Sequence, residues 1–128
     1  MFTLRLARPT DSLPELLRFY RDGLGLEELS SFADHNGFDG IILGGKGSPY
    51  HIEFTHQHGH KVGKAPSKDH LLVFYIPDTE VWNRAISRMQ NYGYAPVKSY
   101  NPWWDDGGKT FEDPDGYRVV LFNAKWEK

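Results

Sequence analysis

The chain has 128 residues, 39% of them apolar and 25% charged, with a formal net charge of −2. That is globular composition at the length of one domain with a proper core, and it gives no basic surface that would make nucleic acid a default partner. The absence of cysteine excludes disulfides, thiolate zinc sites and a cysteine nucleophile, and the charged start "MFTLRLARPT" and the lack of a long apolar run predict no signal peptide and no membrane span. A cytoplasmic protein is therefore expected.

In chain order, "TLRLA" alternates, with Leu4 and Leu6 on one face and Thr3, Arg5 and Ala7 on the other, as a half-buried strand does. "SLPELLRFYRDGLGL" predicts a helix, with Ser12 and Glu15 at capping-box spacing and an apolar stripe of Leu13, Leu16, Leu17, Tyr20 and Leu24. Strands are predicted at "EELSSF", "FDGIILGG" and "YHIEFTH", the last two joined by the turn "GGKGSP". The polar stretch "QHGHKVGKAPSK" has no apolar period and reads as a linker. "HLLVFYI" predicts a strand, and "PDTEVWNRAISRMQNYG" a helix capped by Asp78 with Val81, Trp82, Ala85, Ile86 and Met89 inward. "APVKSY", "GKTFE" and "YRVVLFNA" predict three closing strands, with the turn "DPDG" between the last two.

The order is strand, helix, three strands, linker, strand, helix, three strands. This predicts an α+β fold of two βαβββ modules in tandem, about 1–57 and 69–128, joined by a linker of about 57–68. With that plan in place, "RFYRDGLGL", "YHIEFTH", "HLLVFYIPD" and "FEDPDGYRVVLFN" resemble the vicinal oxygen chelate superfamily. That group includes glyoxalase I, bleomycin and fosfomycin resistance proteins and extradiol dioxygenases. The resemblance covers essentially the whole chain. It implies a single domain whose sheets curl around a cleft, and a homodimer.

Metal-dependent members of the superfamily carry ligands on their first, fourth, fifth and eighth strands. Here those positions fall on Arg5, Glu53, His70 or Leu71, and Val120. Arginine is a permanent cation and valine offers no lone pair, so this set is poor for a tightly held metal, which needs at least three protein ligands. No cofactor is therefore expected; a divalent metal, if bound, would use Glu53 and His70, with His51 as a further candidate.

Alternation places Arg5 and Ala7, His51, Glu53 and Thr55, and Arg118, Val120 and Phe122 toward the cleft, with Leu4, Leu6, Ile52, Phe54, Val119 and Leu121 under the helices. The fifth strand leaves His70 and Phe74 competing with Leu71, Val73 and Tyr75 for the cleft. An Arg5–Glu53 pair would put a fixed cation where the superfamily holds its metal. The ligand-binding candidates are Arg5, His51, Glu53, His70, Tyr75, Trp103, Trp104 and Arg118. On a strand the two tryptophans would point to opposite faces.

Three functions follow. The first is a metal-independent protein that binds a small molecule. The second is a metal-dependent lyase or dioxygenase using Glu53 and His70, and the third a metal-free enzyme with Glu53 as general base. Four of the six histidines lie in "YHIEFTHQHGHK". Of these, His51 belongs to the strand beside Glu53, while His56, His58 and His60 are expected to be solvated linker residues.

Overall fold

The computed structural model describes residues 2–127. The chain forms two compact units, residues 1–63 and 64–128. The first holds β1 (Leu4–Pro9), α1 (Leu13–Leu17), a π-helical turn (Arg18–Gly23), β2 (Glu27–His35), β3 (Phe38–Gly44) and β4 (Tyr50–Gln57). The second holds β5 (Leu71–Tyr75), α2 (Thr79–Asn91), a 3-10 turn (Pro102–Asp105), β6 (Gly108–Glu112) and β7 (Arg118–Phe122).

The first sheet has the order β1-β4-β3-β2, and β1 runs parallel to β4 while the other neighbours are antiparallel. The second has the order β5-β7-β6, again with the first strand parallel to the last. The shared topology is the tandem βαβββ plan, with one strand reduced. "APVKSY" does not form a strand; it keeps a single bridge between Val97 and Thr110. The reason lies in competing partners. Pro96 has no N–H to give a ladder. The Lys98 carbonyl accepts from Arg118 Nη1 at 3.0 Å, and the Ser99 N–H donates to the Asp105 carboxylate at 3.1 Å.

The first helix also departs from a simple 3.6 period. Ser12 caps it, its hydroxyl accepting from the Glu15 N–H at 3.4 Å, but α-helical geometry ends at Leu17. The chain then widens into a π turn, closed by the Leu24 N–H donating to the Phe19 carbonyl five residues back. The wider turn brings the neighbours Phe19 and Tyr20 inward together with Leu16, all fully buried, where the predicted stripe held only Tyr20 and Leu16 of these. Tyr20 packs on Phe54 at 4.8 Å between ring centroids. Ile41, Leu43, Ile52 and Phe54 complete this core, consistent with the alternation of β3 and β4.

Leu4 and Leu6 do not pack under the helix. They are 65% and 42% exposed on β1, the edge of the sheet, and α1 is too short to cover them. The inward position on that strand is Arg8, in register with Phe54. Its guanidinium lies 5.0 Å from the Phe54 ring centroid, and Nη2 donates to the Tyr20 hydroxyl at 3.2 Å.

In the second unit Asp78 caps α2, its carboxylate accepting from the Val81 N–H at 3.0 Å. Met89 is the fully buried residue of that helix, and Trp82 donates its indole N–H to the Leu121 carbonyl at 2.9 Å. Val81, expected inside, is 43% exposed in the first turn. Phe111, Val119 and Leu121 are buried in this unit, as Met89 is. The "DPDG" turn forms as expected. Gly116 takes φ +89°, and the Asp113 carboxylate accepts from the N–H groups of Asp115 and Tyr117.

Candidate functional site

The polar cluster on the first sheet is built by strand register. Arg5 pairs with His51 and Ala7 with Glu53, so these four side chains share the face opposite Ile52 and Phe54. The Leu29 side chain lies over Gly44 beside His51, whereas Glu53 is flanked by Ala7 on β1, and this small neighbour leaves room for a longer side chain to lean across. The Arg5 guanidinium uses that room. Its Nε–H donates to His51 Nδ1 at 3.2 Å, and Nη1 lies 3.9 Å from Glu53 Oε2. The Arg5 side chain is 45% exposed and that of Glu53 only 17%, so a largely covered carboxylate stands beside a cation that still reaches solvent.

The sequence-predicted residues of the second unit behave differently. β5 pairs with β7 so that Leu71, Val73 and Tyr75 share a face with Arg118, Val120 and Phe122. His70 lies before the strand, exposed, its carbonyl accepting from the Arg118 N–H and its ring 5.8 Å edge-on from Tyr117. Arg118 is 6% exposed, with Nε donating to Glu112 at 3.2 Å and Nη1 to the Lys98 carbonyl. Both bonds are made within the protein, and the one to Lys98 holds the irregular segment after Val97 against the sheet. Val120 is fully buried.

Trp103 and Trp104 sit on the 3-10 turn rather than on a strand, so they do not point to opposite sheet faces. Trp103 is 63% exposed. Trp104 stands edge-on to Phe122 at 5.5 Å, Phe122 edge-on to Tyr75 at 5.9 Å, and Tyr75 meets Trp126 at 6.0 Å. Trp126 has no place in any periodic pattern of the sequence, and only its residue type could have suggested it.

The histidine run is more ordered than a solvated linker. His56 is on β4, and its Nδ1–H donates to the Thr10 carbonyl at 3.0 Å. His58 lies 3.0 Å from Asp39 through Nε2 and 3.6 Å from Asp34 through Nδ1. The Asp39 carboxylate beside it pushes the His58 imidazole above its ordinary value, and the Asp34 N–H and His58 together hold Asp39 below the usual carboxylate range. Asp11 accepts from the N–H groups of Val62 and Gly63 at 2.8 and 3.0 Å, which lowers its carboxyl and pins the middle of the linker. Asp11, His56, Gly59, His60 and Lys61 line an open depression of about 290 Å³.

The donor set does not fit the divalent metal that the superfamily resemblance carries. In the first unit a guanidinium stands at the first-strand position and faces Glu53. In the second, Val120 is apolar and His70 lies outside β5. Among the described residues no three His, Asp or Glu side chains converge as a metal-binding group. Among the same residues no helix is long and apolar enough to cross a membrane.

Comparison with known proteins agrees with this architecture. Residues 4–55 match the YycE-like N-terminal domain and residues 69–123 the YycE-like C-terminal domain. The uncharacterized protein YycE of Bacillus subtilis (strain 168) is 44% identical over 122 residues, covering 95% of this chain and 88% of that protein. The crystal structure of a Bacillus subtilis YycE protein, of unknown function and grouped with glyoxalases and fosfomycin resistance proteins, superposes with a TM-score of 0.90. It covers 97% of this chain and 90% of its own, at 44% identity. The trypanothione-dependent glyoxalase I of Leishmania major shares the fold at a TM-score of 0.74 and 18% identity, covering 97% and 87% of the two chains. The fosfomycin resistance protein FosX of Mesorhizobium loti does so at 0.69 and 11%, covering 94% and 90%. By sequence over nearly its whole length, and by the two-module fold, the chain belongs to the YycE-like family of the vicinal oxygen chelate superfamily.

Proposed function

We propose that this protein binds a small molecule on the sheet face that carries Arg5, His51 and Glu53, and that it does so without a resident divalent metal. The observation that carries the reading is the Arg5 guanidinium, bonded to His51 and 3.9 Å from Glu53. A fixed cation there neutralises the carboxylate that a metal would otherwise need, and it repels a second cation.

Metal analysis of the untagged protein is the direct test. Divalent metal far below one equivalent is expected, and a stoichiometric ion that survives dialysis would overturn the reading in favour of a metal enzyme using Glu53 and His70. A thermal-shift screen of small molecules would then supply a ligand, and Arg5→Met should weaken its binding about tenfold or more, as loss of a charged hydrogen bond does.

A second reading, a metal-free enzyme with Glu53 as general base, is favoured by the loose 3.9 Å pairing, which leaves the carboxylate able to take a proton. Glu53→Gln would then abolish turnover while ligand binding persists. The exposed apolar residues Leu4 and Leu6 on the edge strand support a homodimer, which sedimentation of the wild type and a Leu4→Glu variant would test.

A further inference from the structure

We infer that Arg5 is a positioning residue that locks His51 as the Nε2–H tautomer, making His51 a fixed hydrogen-bond donor beside Glu53 and depriving it of any role as base. The argument is one of proton inventory. Arginine stays protonated and every one of its nitrogens is a donor. When its Nε–H meets His51 Nδ1 at 3.2 Å, Nδ1 must be the acceptor. A neutral imidazole has one lone pair and one N–H, so the proton is on Nε2 and the only lone pair is already engaged. His51 then has no basic atom left for a substrate proton and none for a metal. Glu53 is the only acceptor in the cluster with a free lone pair to offer.

Register makes this arrangement durable. Arg5 and His51 are directly paired across the parallel β1–β4 ladder, which sets the two side chains next to each other on one face. His56 gives the opposite case within the same strand. Its Nδ1 lies 3.0 Å from the Thr10 carbonyl, which can only accept, so His56 carries its proton on Nδ1. In their neutral forms the two imidazoles of one strand thus take opposite tautomers, each set by the partner of Nδ1.

The inference rests on the proposed binding face and names what that face recognises. The ligand presents an acceptor oxygen, such as a carbonyl, carboxylate or phosphoryl oxygen, to His51 Nε2–H. It presents a hydroxyl or N–H group to Glu53.

The test needs no ligand, so its failure is separable from failure of the binding reading. Long-range proton–nitrogen correlation spectra of the full chain are recorded at alkaline pH, where the imidazoles are neutral, with His51→Gln and His56→Gln used for assignment. His51 should show the pure Nε2–H pattern and His56 the pure Nδ1–H pattern, with a coupling across the hydrogen bond between Arg5 Nε and His51 Nδ1. In Arg5→Met, His51 should relax to the tautomer mixture of the exposed His60. No coupling together with a wild-type His51 mixture like that of His60 would overturn the inference, and so would an unchanged His51 pattern in Arg5→Met. Should Arg5→Met not fold, the trans-hydrogen-bond coupling in the wild type decides alone.

Discussion

Ala7 and Gly44 border the polar cluster. Each stands beside a long polar residue on β4, Ala7 beside Glu53 and Gly44 beside His51, and a larger side chain in place of Ala7 would crowd the face across which Arg5 leans. A Cβ at Gly44 would come within 3.2 Å of the Tyr50 carbonyl and 3.3 Å of Leu29 Cδ1, so alanine there would press on the β4 backbone and on Leu29, while its 3.4 Å approach to the His51 Cβ is ordinary contact. Gly108 is more severely enclosed, because its Cβ would meet the Trp104 carbonyl at 2.5 Å and a Phe122 ring carbon at 2.8 Å. A backbone oxygen cannot swing aside. Gly108→Ala is therefore expected to cost about 1–3 kcal/mol in denaturant unfolding and to displace Trp104 from Phe122, visible in tryptophan fluorescence. His58 offers a pH-dependent prediction. Its imidazole is raised by Asp39, so its contribution is full below the ordinary imidazole value of about 6.5 and is lost as pH rises through the higher folded-state value. Asp39 is lowered, so its part is present above the ordinary carboxylate value and lost only as pH falls through the depressed one. The pair thus favours the folded state most between those limits and fades on the alkaline side. The His58 titration followed by NMR should move down in Asp39→Asn, and an unmoved midpoint would show that the pairing does not form in solution.

At the scale of elements, local signals were legible where side chain and backbone agree. The Asp78 cap was readable because a carboxylate three residues before Val81 meets an N–H that the helix leaves unpaired. Asp78→Ala should lower stability by about 1 kcal/mol, measured as a shift in the urea midpoint. The π turn was not legible. Nothing in "RFYRDG" marks a five-residue hydrogen bond, and the period changes only because burying Phe19 and Tyr20 together outweighs regular geometry. The strand expected at "APVKSY" failed for another reason. Its sequence suits a strand, but Arg118 and Asp105, both distant along the chain or on a neighbouring turn, take the backbone groups that a ladder would use. Face assignments from alternation placed Ile52, Phe54, Val119 and Leu121 in the cores. Alternation gave the right face for Leu4 and Leu6 but not their exposure, because it carries no information about which strand lies at an edge.

For the molecule as a whole, the repeated order of elements carried the fold, and the relatives over nearly the full length agree with it. The Arg5–Glu53 approach could be anticipated because two extended segments and a shared face suffice to bring the residues together. The bond from Arg5 to His51, the burial of Arg118 and the contact of Trp126 with Tyr75 depend on side-chain conformations that no spacing encodes. The parallel pairing of the first strand with the last in each unit has a consequence for biosynthesis. β1 is translated well before β4, the strand it pairs with, with Leu4 opposite Tyr50, and β5 likewise waits for β7, with Leu71 opposite Arg118. Neither sheet can close until its last strand has been translated, and pairing so distant along the chain forms slowly. The nascent first strand therefore keeps its backbone N–H and C=O groups without their ladder until the histidine-rich strand emerges, and it is the segment that most needs shielding in that interval.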